Sequence, residues 1–319
     1  MTGSTSRRQI LKLAGVGVLG SLVNGKLATA ADGPKRRFTM DLVCGNLAVA
    51  ARGAEAIELA SKHGFESIEP DAGYLAKLSD TQLDEVKAKL NAKGMVWGAA
   101  GLPVDFRKDD AKFEAGMKDL DSFAEALERA GATRVGTWLM PNHASLTYMS
   151  NFRQHVLRLE QIAKVLEDHD LRFGLEYVGP KTLWSAAKYP FVHSMVEANE
   201  LISAIDQPNV GLVLDSWHWY TAGEGEADLL TLKNSDIVAC DLNDAPQGIP
   251  IDQQKDQVRE LPSATGVIDL KTFLNALVKI GYDGPVRAEP FLARLKGLPQ
   301  DQAVGQAAEA MKKSFALIG

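Results

Sequence analysis

The feature that most constrains the fold of this chain is an alternation of short apolar runs with longer amphipathic stretches, which occurs eight times after residue 37. The runs are mostly apolar on both faces, which is typical of strands buried in a parallel sheet. They are Phe38–Cys44, Ser67–Glu69, Met95–Ala99, Arg134–Leu139, Leu171–Glu176, Val210–Asp215, Ile237–Asp241 and Pro285–Glu289. Because parallel strands need long crossover connections, the alternation predicts a parallel sheet whose strands are joined by helices.

The stretches between the runs carry apolar residues three and four positions apart, the spacing of a helix with one buried face. Helices are predicted at Gly53–His63, Asp80–Lys93, Asp110–Ala130, Leu146–His169, Phe191–Ile205, Asp269–Ile280 and Gln302–Leu317, with a weaker pattern near Glu224–Leu232. Glycines such as Gly131 stand where these helices end and the next strand begins, as helix C-termini favour.

Eight strand–helix units in one chain of this length fit the (β/α)8 TIM barrel as a single domain. The rival is a doubly wound open sheet. Its dinucleotide-binding form expects Gly-x-Gly-x-x-Gly after the first strand, whereas Cys44-Gly45-Asn46 stands there, and the sequence contains no Walker-type Gly-Lys-Ser/Thr. The barrel is therefore the favoured fold.

The first thirty residues predict a twin-arginine signal peptide. Ser6-Arg7-Arg8-Gln9 is followed by an apolar run, Leu13–Val23, and then by the small residues Ala28 and Ala30. The apolar run is too short to span a bilayer core of about 30 Å as a helix. We therefore predict cleavage before Ala31, an exported, periplasmic barrel at residues 31–319 and no stable membrane insertion after cleavage. A retained anchor is the alternative.

Charge argues against a nucleic-acid partner. The chain has 35 Lys and Arg against 41 Asp and Glu, a formal net charge of −6. Residues 1–30 contain four of the basic residues and no acids, so the part after them carries −10. Binding to phosphate backbones needs a concentrated basic surface, which this mixed, acidic composition lacks. The partner expected is a small molecule; a homo-oligomer stays open.

Cysteine and histidine usage gives few candidate ligands. Cys44 and Cys240 are far apart in sequence, and we predict that both are small buried side chains; metal ligation by Cys240 is the alternative. Four of the six histidines fall in helical stretches and are predicted on the surface: His63, His155, His169 and His193.

Acidic residues end four consecutive runs in the second half of the chain: Glu176, Asp215, Asp241 and Glu289. Active sites of (β/α)8 barrels lie at the C-terminal ends of the strands, so these carboxylates are expected on one rim. One such acid could merely cap the next helix, but four in consecutive strands favour a shared site.

Closely gathered carboxylates repel each other and retain protons unless a cation binds them. An oxygen-rich set of ligands suits Mn²⁺ or Mg²⁺ better than a soft metal. The expected cofactor is therefore a divalent metal, Mn²⁺ or Mg²⁺, with Zn²⁺ or Co²⁺ as the alternatives.

Several short motifs occur in a fixed order from Phe38 to the C-terminus. They are Gly64-Phe65-Glu66-Ser67-Ile68-Glu69, the strand ending at Glu176, Asp215-x-x-His218, Leu242-Asn243-Asp244-Ala245-Pro246, and Gly281-Tyr282-Asp283-Gly284-Pro285 leading to Glu289-Pro290-Phe291. In this order they resemble the xylose isomerase-like barrels, in particular the sugar phosphate isomerase/epimerase group that includes ketose 3-epimerases, inosose dehydratase and inosose isomerase.

The resemblance implies roles for four residues. Glu176, Asp215 and Glu289 would be metal ligands, and Glu176 and Glu289 would also move a proton on opposite faces of the substrate. His218 would bind substrate oxygens; a packed position between the neighbouring tryptophans is the alternative.

The sequence departs from this pattern at one position. Many members have a metal-binding histidine at the end of the seventh strand, where this chain has Asp241. Asp241 could ligate the metal directly and complete an all-carboxylate site. It could instead lie behind the ligands, in which case Asp244 would help to bind the metal.

Other residues are candidates for the substrate pocket. Arg259, in the long loop from Gln247 to Gly266, looks like the family's substrate-contacting arginine, although a surface salt bridge is as good an interpretation. Glu69 matches a position that often lines the pocket. Four rings could stack on sugar faces, at least two of them being expected in the core instead: Trp138, His143, Trp184 and Trp217.

Three functions follow from these residues. The first is a metal-dependent sugar isomerase or epimerase, in which proton transfer next to a carbonyl gives an enediolate. The second is a lyase or dehydratase that loses a leaving group from the same intermediate, acting on oxidised (3-keto) glycosides or inososes. The third is a non-catalytic sugar-binding barrel.

Overall fold

The computed structural model describes residues 35–319. The predicted signal peptide, residues 1–30, and its cleavage site before Ala31 lie outside the described residues.

All eight predicted runs contain a β-strand, and a further short strand begins directly after the third run. The strands are β1 (Thr39–Leu42), β2 (Ser67–Ile68), β3 (Val96–Trp97), β4 (Ala100–Gly101), β5 (Arg134–Trp138), β6 (Asn142–His143), β7 (Arg172–Glu176), β8 (Tyr189–Pro190), β9 (Val210–Asp215), β10 (Ile237–Leu242) and β11 (Pro285–Ala288). β6 and β8 pair antiparallel in a two-stranded ribbon apart from the main sheet.

The main sheet closes on itself. Its nine strands pair in parallel in the order β3-β2-β1-β11-β10-β9-β7-β5-β4. β3 lies in the predicted run Met95–Ala99 and β4 begins directly after that run, so only Gly98 and Ala99 separate the two edge strands. A Cβ on Gly98 would lie 2.3 Å from Asp41 Oδ1 on β1, so only glycine fits this closure point. The prediction of a single-domain (β/α)8 barrel is confirmed.

Helices connect the strands on the outside of the barrel. They are α1 (Gly53–His63), α2 (Ala72–Leu75), α3 (Asp80–Ala92), α4 (Asp110–Met117), α5 (Leu120–Ala130), α6 (Tyr148–Glu167), α7 (Lys181–Trp184), α8 (Met195–Ile205), α9 (Ser216–Thr221), α10 (Glu226–Leu229), α11 (Leu270–Ile280) and α12 (Gln300–Phe315). The predicted helix Asp110–Ala130 is in fact two helices, which break near Gly116 and Asp119, both poor helix formers.

The hydrophobic core lies between the sheet and the helices and extends into the barrel. Fully buried side chains from both layers meet there, among them Leu127, Phe173 and Phe273. Among residues 35–319, no helix is both long and apolar enough to cross a membrane. The core fixes the C-terminal ends of the strands, where the predicted acids stand.

Candidate active site

The four predicted acids meet at one rim of the barrel. Glu176 and Asp215 are the last residues of β7 and β9, Asp241 is in β10 directly beside Asp215, and Glu289 follows β11. The first three are buried and the Glu289 side chain is 17% exposed. A cavity of about 780 Å³ opens here, and Glu176, Glu289, His218 and Arg259 all line it.

Asp215 is held behind the cavity by a full set of hydrogen bonds. Its Oδ1 accepts from the backbone N–H of Trp217 at 2.8 Å and from Asn243 Nδ2 at 2.9 Å. Its Oδ2 accepts from Arg259 Nη1 at 2.8 Å. Burial raises the pKa of Asp215 to about 6, against the opposing effect of the Arg259 guanidinium.

Arg259 is fully buried and joins two of the acids. Its Nη1 donates to Asp215 Oδ2 and, at 3.0 Å, to Glu289 Oε2, while Asp256 accepts from Nη2 at 2.8 Å. Burial by itself would lower the pKa of Arg259, but these carboxylates raise it above its usual range. The alternative of a surface salt bridge is thus wrong, and Asp256 is a site residue that the sequence did not indicate.

Asp244 holds the loop that contains Arg259 through backbone hydrogen bonds. The Asp244 carboxylate accepts from the backbone N–H groups of Thr265, Gly266 and Ile268 at 2.7–3.1 Å, and from that of Ala245 at 2.8 Å. These bonds occupy both of its oxygens. Asp244 therefore stabilises the loop, and it does not stand free to help bind a metal as one interpretation of the sequence had it.

His218 is a buried, neutral side chain that lines the cavity. The backbone N–H of Gly179 faces its Nδ1 at 3.2 Å, and Arg259 Nη2 faces its Nε2 at 3.3 Å, so a donor approaches each ring nitrogen. Nε2 lies 3.5 Å from Asp215 Oδ2 and 3.8 Å from Glu176 Oε1. Burial, reinforced by Arg259, lowers the pKa of His218 to about 3. His218 therefore lies beside both acids at the cavity, and the binding of substrate oxygens by His218 stays a prediction.

Glu176 and Glu289 are the two carboxylates that reach the cavity. Burial and repulsion from Glu289 raise the pKa of Glu176 well above its ordinary value. Burial and the nearby Asp241 raise the pKa of Glu289 to about 8. Glu176 Oε1 is buried and has no hydrogen-bond partner among the described residues. Two carboxyl groups with raised pKa values can exchange protons with a bound molecule.

Asp241 is paired with an arginine. Arg287, two residues before Glu289 on β11, donates to Asp241 Oδ1 from Nε at 2.6 Å and to Oδ2 from Nη2 at 3.0 Å. Each oxygen of the Asp241 carboxylate thus accepts one hydrogen bond, and metal ligation by Asp241 stays a prediction. Arg287 was not singled out in the sequence, although its position, two residues before Glu289, turns its side chain to the same face of the strand.

Three side chains come close enough to hold a divalent cation. Glu176, Asp215 and His218 bring ligand atoms within 4.8 Å of one another. The unpaired Glu176 Oε1 is the strongest observation in favour, because a cation there would satisfy a buried atom. Glu289 lies outside this close group. Ligation of an ion by Glu176, Asp215 and Glu289 therefore stays a prediction.

The structure does not bring every candidate into this cavity. Glu69 lines a separate, small cavity beside Cys44 and Tyr74. Trp217 is fully buried in the core, and Trp184 stacks on His193 at 4.7 Å.

Two other candidate rings lie at the mouth of the barrel: Trp138 lines the main cavity, and His143 lines a second cavity beside it.

Cys44 and Cys240 are buried and free, as predicted. The prediction of four surface histidines is wrong for His155, which is 3% exposed.

Comparison with known proteins was made on sequence and on structure. Residues 57–314 match the profile of the xylose isomerase-like TIM barrel family. An inosose isomerase of Halalkalibacterium halodurans is 26% identical over 271 residues, which are 82% of this chain and 92% of that protein.

Two solved structures are similar throughout. A xylose isomerase domain protein of Alicyclobacillus acidocaldarius has 30% identity and a TM-score of 0.74, over 88% of this chain and 99% of that one. The IolI protein, whose crystal structure has a bound zinc atom, has 22% identity and a TM-score of 0.69, over 87% of this chain and 97% of that one.

Proposed function

Because the chain belongs to the xylose isomerase-like TIM barrel family, we propose that it is a metal-dependent isomerase or epimerase of a sugar or polyol. The observation that carries this proposal is the pair Glu176 and Glu289. Both are carboxyl groups with raised pKa values, and both line one cavity. A protein that only binds a sugar has no need of two such groups.

The chain's own residues would divide the proton transfer between them. One glutamate removes a proton from the carbon next to a carbonyl, and the other returns a proton to the enediolate. His218 binds a substrate oxygen, and Arg259 keeps Glu289 and Asp215 in place. A divalent cation bound to the three carboxylates would polarise the carbonyl. The relative named inosose isomerase supports a cyclic polyol ketone or a ketose as substrate.

The test follows the proton directly. The purified protein is incubated in ²H₂O with an inosose and with a panel of ketohexoses, and deuterium uptake at carbon is measured by mass spectrometry and NMR. We expect uptake by wild type and a loss of at least about 100-fold in Glu289→Gln, the size of effect typical of general acid–base groups. Glu85→Gln, on the exposed face of α3, is the matched control and should exchange like wild type.

Three results would change the assignment. Undiminished uptake in Glu289→Gln would refute the role of Glu289. Products that have lost the mass of water or of an alcohol would identify a lyase instead of an isomerase. Binding of a sugar without any exchange would indicate the non-catalytic barrel. Metal analysis of protein purified without chelators, by plasma emission, identifies the ion independently of turnover.

A further inference from the structure

A second cavity, of about 570 Å³, adjoins the one that Glu176 and Glu289 line. Trp138 and Met140 belong to the walls of both, so a molecule held in the first cavity can extend past Trp138 into the second. The first cavity by itself lies in the range of about 300–1,000 Å³ that accommodates a drug-sized ligand. The second therefore adds space that a single sugar ring does not need.

Two polar atoms on residues that line this second cavity are buried and unpaired. His155 and Asn151 are 3% and 2% exposed, and neither His155 Nε2 nor Asn151 Oδ1 has a hydrogen-bond partner within residues 35–319. His155 Nδ1 donates to the backbone carbonyl of Asn151 at 2.9 Å, so the unpaired Nε2 is an acceptor. Unpaired buried acceptors are costly, and a ligand that donates hydrogen bonds would satisfy them.

A donor lies in the same wall. His143 Nδ1 accepts from the backbone N–H groups of Leu146 and Ser145 at 2.8 and 3.1 Å, which leaves its proton on Nε2. Hydroxyl groups both donate and accept, so they match a wall that offers both kinds of atom. The charged residues of this wall balance, because Asp105 and Asp109 stand beside Arg107 and Lys108. The Arg107 guanidinium is paired with Asp105 at 3.2 Å and stacked on Trp138 at 4.3 Å. This balance of charge favours an uncharged ligand over a phosphorylated one.

We infer that the second cavity is a subsite for an additional uncharged, hydroxylated ring, so that the substrate class is a two-ring compound such as a ketose-containing disaccharide or other glycoside. The inference rests on the proposed function only for the placing of the reacting ring. Trp138, 39% exposed between the two cavities, offers an aromatic surface to the linkage or to an apolar sugar face.

The test compares one ring with two. Binding of D-fructose and of three disaccharides that contain it (maltulose, palatinose and lactulose) is measured by titration calorimetry on the intact barrel. We expect at least one disaccharide to bind about tenfold more tightly than D-fructose. In His155→Phe, which keeps a ring between Phe106 and Phe191, this advantage should fall to about twofold while D-fructose binds as before. Asn151→Leu should act in the same direction.

His63→Phe is the matched control, because His63 lines neither cavity and should retain wild-type affinities. Melting temperatures verify that each variant is folded. The inference is overturned if no disaccharide binds more tightly than D-fructose, or if His155→Phe weakens both kinds of sugar equally. Deuterium exchange on the same samples separates the two proposals. If D-fructose exchanges but no disaccharide binds more tightly than D-fructose, only the subsite is refuted. If His155→Phe weakens disaccharide binding selectively but no sugar exchanges, only the proposed enzyme function is refuted.

Discussion

Two arginines set the charge balance of this site. Arg259 binds Asp215 and Glu289, whereas Arg287 binds Asp241 through Nε and Nη2. Glu176 alone among the four acids has no arginine hydrogen-bonded to it within the described structure. The acid with the least compensation is thus one of the two that we assign to proton transfer.

Removing one partner of the Asp241–Arg287 ion pair should lower the free energy of unfolding more than removing both partners. Arg287→Met leaves a buried, uncompensated carboxylate, so we expect the free energy of unfolding to fall by about 3 kcal/mol. Asp241→Leu combined with Arg287→Met removes both charges and should recover more than half of that loss. Urea unfolding monitored by circular dichroism measures both. A single variant within about 1 kcal/mol of wild type would contradict the pairing.

His155 should make the protein sensitive to acid. Burial lowers the pKa of His155 to about 4 from an ordinary 6.5. Between these values the unfolded chain binds more protons than the folded one, so the free energy of unfolding falls as the pH falls from about 6.5 to 4. The slope is at most about 1.4 kcal/mol per pH unit. Urea unfolding at pH 7.5, 6.5, 5.5 and 4.5 should show a steeper acid loss in wild type than in His155→Phe; parallel curves would disprove it.

The location of a single residue in the fold was predictable where it depends only on the residue's position at the C-terminal end of a strand. Glu176, Asp215 and Glu289 could be assigned to the rim because each ends a strand-like run. The pairing of Asp241 with Arg287 could not, since it depends on two side chains meeting across neighbouring strands. His155 was misplaced because α6 is flanked by Phe106 and Phe191, contacts that its own periodicity does not reveal.

At the level of elements, periodicity located the strands well but not their interruptions. All eight runs contain a strand, because most of them are apolar on both faces and pack between the helices and the barrel interior. The third run ends at Ala99, whereas the sheet continues in β4, and Gly98 between β3 and β4 lies close to Asp41 on a strand that is distant in sequence. The β6–β8 ribbon, which carries His143, is too short to have a periodicity of its own.

Gly211 on β9 should be required for the pairing of β9 with β10. A Cβ there would lie 2.6 Å from the carbonyl oxygen of Asp236, a backbone atom beside the point where the β9–β10 register shifts. We expect Gly211→Ala to lower the free energy of unfolding by about 2 kcal/mol, the scale of overpacking. Gly45→Ala, where a Cβ meets nothing within 4 Å, is the control and should change it by less than about 0.5 kcal/mol. Equal stability of the two variants would contradict the argument.

For the whole molecule, the barrel brings together functional residues that are far apart in sequence. The main cavity draws on Trp138, Glu176, Arg259 and Glu289, and the second cavity on the segment from Asp105 to His155. Sequence alone could predict the rim that holds both, because every strand of a (β/α)8 barrel ends there. It could not predict two adjoining cavities, since their walls come from loops whose paths depend on tertiary contacts.

We predict export of the full chain, and a test of this prediction needs residues 1–30. We expect the full-length protein, expressed with a C-terminal tag in a bacterium that has a twin-arginine translocase, to appear in the periplasm with Ala31 as its first residue. Arg7→Lys with Arg8→Lys should keep the uncleaved precursor in the cytoplasm, because the translocase recognises the arginine pair. Lys26→Arg, which keeps the charge outside that pair, is the control. Cell fractionation and N-terminal mass analysis distinguish the outcomes. Equal processing of the double variant and wild type would exclude the twin-arginine route. A folded precursor of the double variant retained in the cytoplasm would agree with a barrel that folds before it crosses the membrane.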